Sequence, residues 1–372
     1  MVRTLLVAIS LFAAPLAAQQ AAMGSRPQEP TEPLPYRAEE VTVPVGAQGD
    51  GGHTLAGTLT LPDPARWGDG PYPGVVLVSG SGAQNRDSML LGHKPFLVLS
   101  DRLTRAGVAV LRYDDRGFGA STGDFATATT LDFADDARAA AGLLRAHPEV
   151  DAKRVGLIGH SEGGLIAPMV ANADPETAFI VLLAGPGVPG SEILVFQSEL
   201  MFRQTRQADE WIAASSAIRR EIFRAIAEDA DEEAVRPIVR RLVAHEMAYL
   251  QDEEGRDRVA DATLAQFTNP WVRAFVKLDP RVALAEVSVP VLALNGTKDM
   301  QVPVDQNLTE IERVLAGGAC PSVTAVRLVG LNHLFQPAQT GLLGEYAVIS
   351  TTFDERTMGL IAGWVRAAAP VE

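Results

Sequence analysis

The chain is short of cysteine. It has one, Cys320, in 372 residues, so no disulfide can form within a single copy. Its neighbours Gly317, Gly318, Ala319 and Pro321 mark a turn, and the thiol reads as an idle side chain rather than a nucleophile. Basic residues are also scarce. Lys and Arg number 32 against 46 Asp and Glu, a net charge of −14, which opposes nucleic acid as a partner. Beyond Ala18 no apolar run is long enough to read as a membrane span. No group of His, Cys, Asp and Glu has metal-ligand spacing. No Gly-x-Gly-x-x-Gly follows the first buried run in the form a dinucleotide site needs. With six histidines in all, the candidates for a general base are few.

At the start of the chain, Arg3 precedes an apolar stretch from Leu5 to Leu16 and small residues up to Ala18. This pattern predicts a signal peptide over 1–18, cut after Ala17 or Ala18, and hence export to a periplasm or full secretion without stable membrane insertion. Residues 19–35, rich in Gln, Pro and Glu, read as a flexible leader. About 335 residues remain, enough for one α/β domain with an insertion or for two small domains.

Short apolar strands then alternate with helical segments. The strands are expected at 36–45, 53–61, 74–79, 108–113, 154–158 and 178–183, and the helices at 95–106 and 131–146. The run Val75–Val78 is too continuously apolar for an exposed edge, and the alternation of short apolar strands with helices predicts a mostly parallel sheet covered on both faces. From about Glu192 to Asp279 no buried strand is recognisable. Helices are expected at 193–204, 208–228 and 232–250, with a looser stretch up to Thr268–Trp271. The sheet pattern resumes at 289–294 and 325–328, with helices at 305–316 and 352–369. The reading is an α/β core over 36–190, a helical cap over 191–284 and a second part of the core over 285–372. Large residues in the insertion, among them Phe196, Phe202, Trp211, Phe223, Met247 and Tyr249, pack the cap, and a few of them would face a ligand.

The chain is organised around Gly159-His160-Ser161-Glu162-Gly163. Gly-x-Ser-x-Gly between a buried strand and a helix is the pattern of a sharp turn that exposes a serine hydroxyl. The pentapeptide alone could arise by chance among 33 glycines; the strand before it and the helix after it supply the required context. A serine hydroxyl needs a base, and the base needs an orienting group. His333, in the late loop Gly330-Leu331-Asn332-His333, is the expected base. Asp299, after the strand at 289–294, is the expected acid, with Asp305 second. The order Ser161, Asp299, His333 matches that of this architecture. Oxyanion donors are expected from the backbone N–H groups of Glu162 and Ser81, with Gly80 and Gly82 freeing the loop around Ser81. The Glu162 side chain could be a pocket acid or an anchor for Arg86, Arg112 or Arg116, and the structural role is the preferred reading. Asp114, Asp115 and Arg116 read as an ion-pair network that supports the site.

These stretches resemble the alpha/beta-hydrolase superfamily, and within it a group of capped bacterial serine esterases. The resemblance runs through Val76–Gly82 with Asn85-Arg86-Asp87, Gly92–Phe96, Leu111–Gly117 with Ser121-Thr122-Gly123, Gly159–Gly164 and Leu183–Gly187, and covers roughly residues 50–335. In that group the first loop typically begins His-Gly-Ser-Gly; here Ser79 stands in place of the histidine. The resemblance implies an alpha/beta-hydrolase fold with a helical cap, and cofactor-free hydrolysis of a small-molecule carboxylic ester. Peptidase, amidase and thioesterase activities share the same triad, and fold analogy does not choose among them. A hydrolase fold that has become a binding module is the alternative of another class. Oligomeric state is not legible.

Overall fold

The strands form because Val, Ile and Leu recur at period two with both neighbouring faces apolar. In the computed structural model, which describes residues 26–46, 52–250 and 252–368, eight strands make one sheet in the order β1-β2-β4-β3-β5-β6-β7-β8. They are β1 (Arg37–Val45), β2 (His53–Leu61), β3 (Tyr72–Val78), β4 (Ala109–Tyr113), β5 (Val150–His160), β6 (Ile180–Leu183), β7 (Val291–Gly296) and β8 (Val323–Leu328). β2 is antiparallel to β1 and β4, and β3 to β8 run parallel. The expected signal peptide lies outside the described residues.

Alternate residues feed two cores. Val76, Val78, Leu157, Leu182 and Ala293 face the helices Thr130–Arg145, Gly163–Ala173 and Val304–Gly317. Their neighbours Val75, Leu77, Ile158, Leu183 and Leu294 face the helices Pro95–Arg105 and Glu355–Ala368. A sheet sandwiched in this way leaves the carboxyl ends of its strands as the place where loops can build a site.

Two compact units can be distinguished. One holds the sheet; the other comprises Val188–Pro280 with Ala126–Thr130. Within the second, the helices are Gly190–Gln204, Asp209–Ala227, Glu232–Glu246, Glu253–Phe267 and Pro270–Phe275. Phe202, Phe223 and Met247 are buried there, while Tyr249 is exposed. The helix Glu253–Phe267 replaces the looser stretch expected from sequence. Asp252 caps it by accepting from the Gly255 N–H at 2.8 Å, and Ala260, Thr263, Leu264 and Phe267 form its buried stripe. A glycine in the first turn and an apolar stripe confined to the second half hide this helix from a periodicity search.

Residues 19–35 were expected to be a flexible leader. Their described part, from Arg26, is hydrogen-bonded to the sheet unit. The Arg26 guanidinium donates to the carbonyls of Leu91, Ala347 and Ile349. Gln28 Nε2 donates to the Phe353 carbonyl, and Gln28 Oε1 accepts from the N–H groups of Thr352 and Phe353. Polar composition reads as leader, yet the same side chains satisfy backbone groups of a distant loop.

Candidate active site

β5 ends in the Gly-x-Ser-x-Gly turn. Ser161 adopts φ 55°, a left-handed conformation that costs a residue with a Cβ about 1 kcal/mol or more. The turn is held from both sides: Ser161 N–H donates to the Leu183 carbonyl at 2.9 Å, and Gly164 N–H to the Ser161 carbonyl at 2.8 Å. Glycine is required on steric grounds. A Cβ at Gly159 would lie 1.9 Å from the Gly163 carbonyl oxygen, and one at Gly163 would lie 2.3 Å from that of Val78. The helix Gly163–Ala173 starts directly behind the serine, so its positive dipole end faces the turn.

Asp299 follows β7, and His333 follows β8. His333 Nδ1 and Asp299 Oδ2 are 2.8 Å apart. The other carboxylate oxygen of Asp299 accepts from the N–H groups of Gln301 and Val302 at 2.8 and 2.9 Å. The acid is thereby locked in one rotamer, with its second oxygen left for the imidazole. Asn332 shapes the histidine turn, its Oδ1 accepting from Leu334 and Gln336 N–H. Asp305, the second choice, is exposed and lies 3.7 Å from Arg327. Asp299 and His333 are both buried. Ser161, Asp299 and His333 all belong to the sheet unit, at the carboxyl ends of β5, β7 and β8.

His160 is buried against His333, with ring centroids 4.7 Å apart. Its Nε2 donates to the His333 carbonyl at 2.9 Å, which assigns the proton to that nitrogen. Burial, reinforced by the neighbouring imidazole, pushes its pKa down to about 3, so this ring stays neutral and serves as a prop for the loop.

After β3 the chain turns through Ser79–Gly82. A Cβ on Gly80 would sit 3.0 Å from the Ser161 Cβ and 3.5 Å from its Oγ, so this loop runs beside the nucleophile. Gly82 has φ 90°. Among the described residues the Ser81 N–H makes no hydrogen bond. A backbone donor beside the serine is what a developing oxyanion requires.

The acidic cluster after β4 divides into two roles that sequence did not separate. Asp114 is bound by the Arg86 guanidinium at 3.2 and 3.0 Å and by the Arg86 and Ala120 N–H groups. Burial raises its pKa, but these bonds outweigh it and hold the carboxyl below the usual range. Arg116 pairs with Asp132 and Asp136. Both residues therefore belong to ion pairs that fix loops around the site. Asp115 is different. It is buried, it has no cationic partner among the described residues, and it accepts from Ser79 Oγ and Gln84 N–H. Burial, with Glu162 and Asp136 adding negative charge, pushes its pKa up to about 8. The three arginines that the Glu162 side chain was expected to anchor pair with other carboxylates. Arg86 pairs with Glu40 and Asp114, Arg112 with Asp87, and Arg116 with Asp132 and Asp136. These partners cross between strand exits, and the strand order decides which of them meet.

No group of three or more His, Cys, Asp or Glu among the described residues could hold a metal ion. Cys320 is half-buried, its thiol within reach of the Val289 and Ser322 carbonyls, and burial pushes its pKa up.

Comparison with known proteins agrees with the fold. Residues 75–340 match the model of the alpha/beta hydrolase family. A stretch of 174 residues is 28% identical to esterase EstD of Thermotoga maritima, covering 47% of this chain and 38% of that protein; the chain thus spans well under half the length of this relative. Among solved structures, an esterase of Pyrococcus furiosus superposes with a TM-score of 0.55 at 15% identity, over 94% of this chain and 99% of that one. Dipeptidyl peptidase 4 of Porphyromonas gingivalis superposes with a TM-score of 0.51 at 14% identity, over 89% of this chain and 35% of that one. These two likenesses concern the fold alone. With a strand-turn-helix serine at the end of β5 and a family match over most of the sheet unit, this chain belongs to the alpha/beta hydrolase family.

Proposed function

We propose that the protein is a serine esterase that cleaves carboxylic esters of small to medium acyl groups through an acyl-serine intermediate. The observation that carries this reading is the pairing of His333 Nδ1 with Asp299 Oδ2 at 2.8 Å, in the same unit as a serine held at φ 55°. His333 Nε2 takes the proton from Ser161 as Oγ attacks the ester carbonyl carbon. Negative charge develops on the carbonyl oxygen, and the backbone N–H groups of Ser81 and Glu162 receive it. Asp299 keeps the Nδ1–H tautomer and stabilises the imidazolium. The C–O bond to the alcohol breaks, and the alcohol leaves with the proton from His333. Water then attacks the acyl-serine by the reverse route, with His333 again as base, and the carboxylic acid is released. Export is part of the proposal and rests on the pattern of residues 1–18.

The test is a fluorophosphonate adduct measured by intact mass, alongside p-nitrophenyl esters of increasing acyl length. Wild type takes up one adduct and turns over. Ser161→Ala takes up none and loses on the order of 10⁶ in kcat while keeping its circular dichroism spectrum. Undiminished ester hydrolysis by folded Ser161→Ala would sink the reading. Turnover of peptide amides in preference to esters would replace it with a peptidase.

A further inference from the structure

We propose that Asp115, with Ser79, is a positioning device that clamps the Ser79–Gln84 loop and so sets the oxyanion donor beside Ser161. The inference rests on the esterase reading and names the support of that same site.

The geometry closes the loop at both ends. At its start, Ser79 Oγ lies 2.8 Å from Asp115 Oδ1. At its end, Gln84 N–H donates to Asp115 Oδ2 at 2.8 Å, and the Asp115 N–H donates to the Gln84 carbonyl at 3.1 Å. Between the two ends lie Gly80, against Ser161, and Ser81, whose carbonyl accepts from Gln84 Nε2 at 3.4 Å. One buried carboxyl therefore fixes both ends of a loop that otherwise contains two glycines and no ladder bonds. Ser79 takes part through its hydroxyl, at the position where the resembling esterases carry histidine.

Asp115 does not meet substrate. Together with Ser79, Tyr113, Asp136 and Glu162 it lines a cavity of about 10 Å³, room for no more than about one water. Its effect must pass through the loop. The clamp also survives protonation. With its pKa raised to about 8, the carboxyl is largely neutral at pH 7; its O–H then donates to Ser79 Oγ while the other oxygen still accepts from Gln84 N–H. Asparagine reproduces this pattern, with Nδ2 facing Ser79 and Oδ1 facing Gln84. Alanine reproduces neither bond.

The experiment compares Asp115→Ala, Asp115→Asn and Ser79→Ala with wild type by ester kinetics, by affinity for a trifluoromethyl ketone whose adduct carries an oxyanion, and by hydrogen exchange of the 80–84 amides. The clamp predicts a fall in kcat of roughly ten- to a hundredfold in Asp115→Ala, with KM within about twofold of wild type. Ketone affinity falls in step with kcat, and amide protection is lost. Ser79→Ala shows the same signature more weakly and guards against misfolding of the first variant. Asp115→Asn restores rate, ketone affinity and protection. Unchanged kcat and protection in both alanine variants overturn the clamp, as does a failure of Asp115→Asn to restore them. A wild type that hydrolyses no ester and takes no fluorophosphonate overturns the esterase reading instead. The exchange measurement then still decides the clamp without substrate: protection unchanged in Asp115→Ala overturns it, and protection lost there but kept in Asp115→Asn upholds it.

Discussion

His160 and Asp115 carry opposite pH signatures, although each is a single buried group near the same serine. The His160 pKa falls from 6.5 to about 3 on folding. The unfolded chain therefore takes up a proton that the folded chain refuses. Its stabilising contribution is complete above pH 6.5 and is lost as pH falls toward 3, by at most about 1.4 kcal/mol per pH unit. The Asp115 pKa rises from 3.8 to about 8, so its contribution is complete below 3.8 and is lost as pH rises toward 8. Urea denaturation at a series of pH values separates the two. Relative to wild type, His160→Gln flattens the acid side between pH 6.5 and 3, and Asp115→Asn flattens the rise in instability between pH 4 and 8. An acid limb identical in His160→Gln would mean that the folded ring takes up its proton in the same pH range as the unfolded one.

At the scale of an element, the turn that ends β5 has no room for a Cβ at Gly159 or Gly163. A Cβ at Gly159 meets backbone at 1.9 Å, and backbone cannot rotate away as a side chain can. Gly159→Ala should cost about 1–3 kcal/mol through forced backbone displacement and should also reduce fluorophosphonate labelling, because the strand-to-helix angle sets the nucleophile. Gly142 is the contrast. It is exposed in the helix Thr130–Arg145, and a Cβ there meets nothing within 4 Å. Gly142→Ala should add about 0.4–1 kcal/mol by restricting the unfolded chain, leaving labelling unchanged. Denaturant midpoints of the two variants shifting in the same direction would contradict the steric account.

Across the whole molecule, charge is spent differently in the two units. In the helical unit Arg219 is buried, and its partner Glu246, with a side chain only 9% exposed, accepts from it at 2.9 Å through both carboxylate oxygens. The guanidinium also lies 5.6 and 5.7 Å from the Phe202 and Phe267 ring centroids. Removing the acid strands a buried cation, so Glu246→Ala should cost about 3–5 kcal/mol. The exposed pair Arg241–Glu221 spans neighbouring helices of the same unit, and Arg241→Ala should cost no more than about 1 kcal/mol. Thermal unfolding followed by calorimetry checks both. Equal effects would show that burial does not set the worth of these pairs. In the sheet unit, ion pairs through Arg86, Arg112 and Arg116 instead tie strand exits together, and none of these cations pairs with Asp115.

The sequence by itself determined the elements and the serine turn, because these depend on local chemistry. Continuous apolar runs of strand length announce a buried sheet, and Gly-x-Ser-x-Gly announces a tight strand-to-helix turn whatever lies around it. Fold class was legible for that reason. Asp299 could be named ahead of Asp305 for the same reason, although the Gln301 and Val302 amides that wrap its carboxylate and aim it at His333 appear only in the fold. Partnerships between other loops were not legible. Asp114 and Asp115, adjacent in sequence, part company because their side chains leave the end of β4 toward different neighbours. Ser79 meets Asp115 across 36 residues because β3 pairs with β4 on one side, and it runs beside Ser161 because β3 pairs with β5 on the other. Strand order is a property of how the helices pack the sheet from both faces. Periodicity along the chain does not encode it, so only the tertiary structure could decide which loop ends meet.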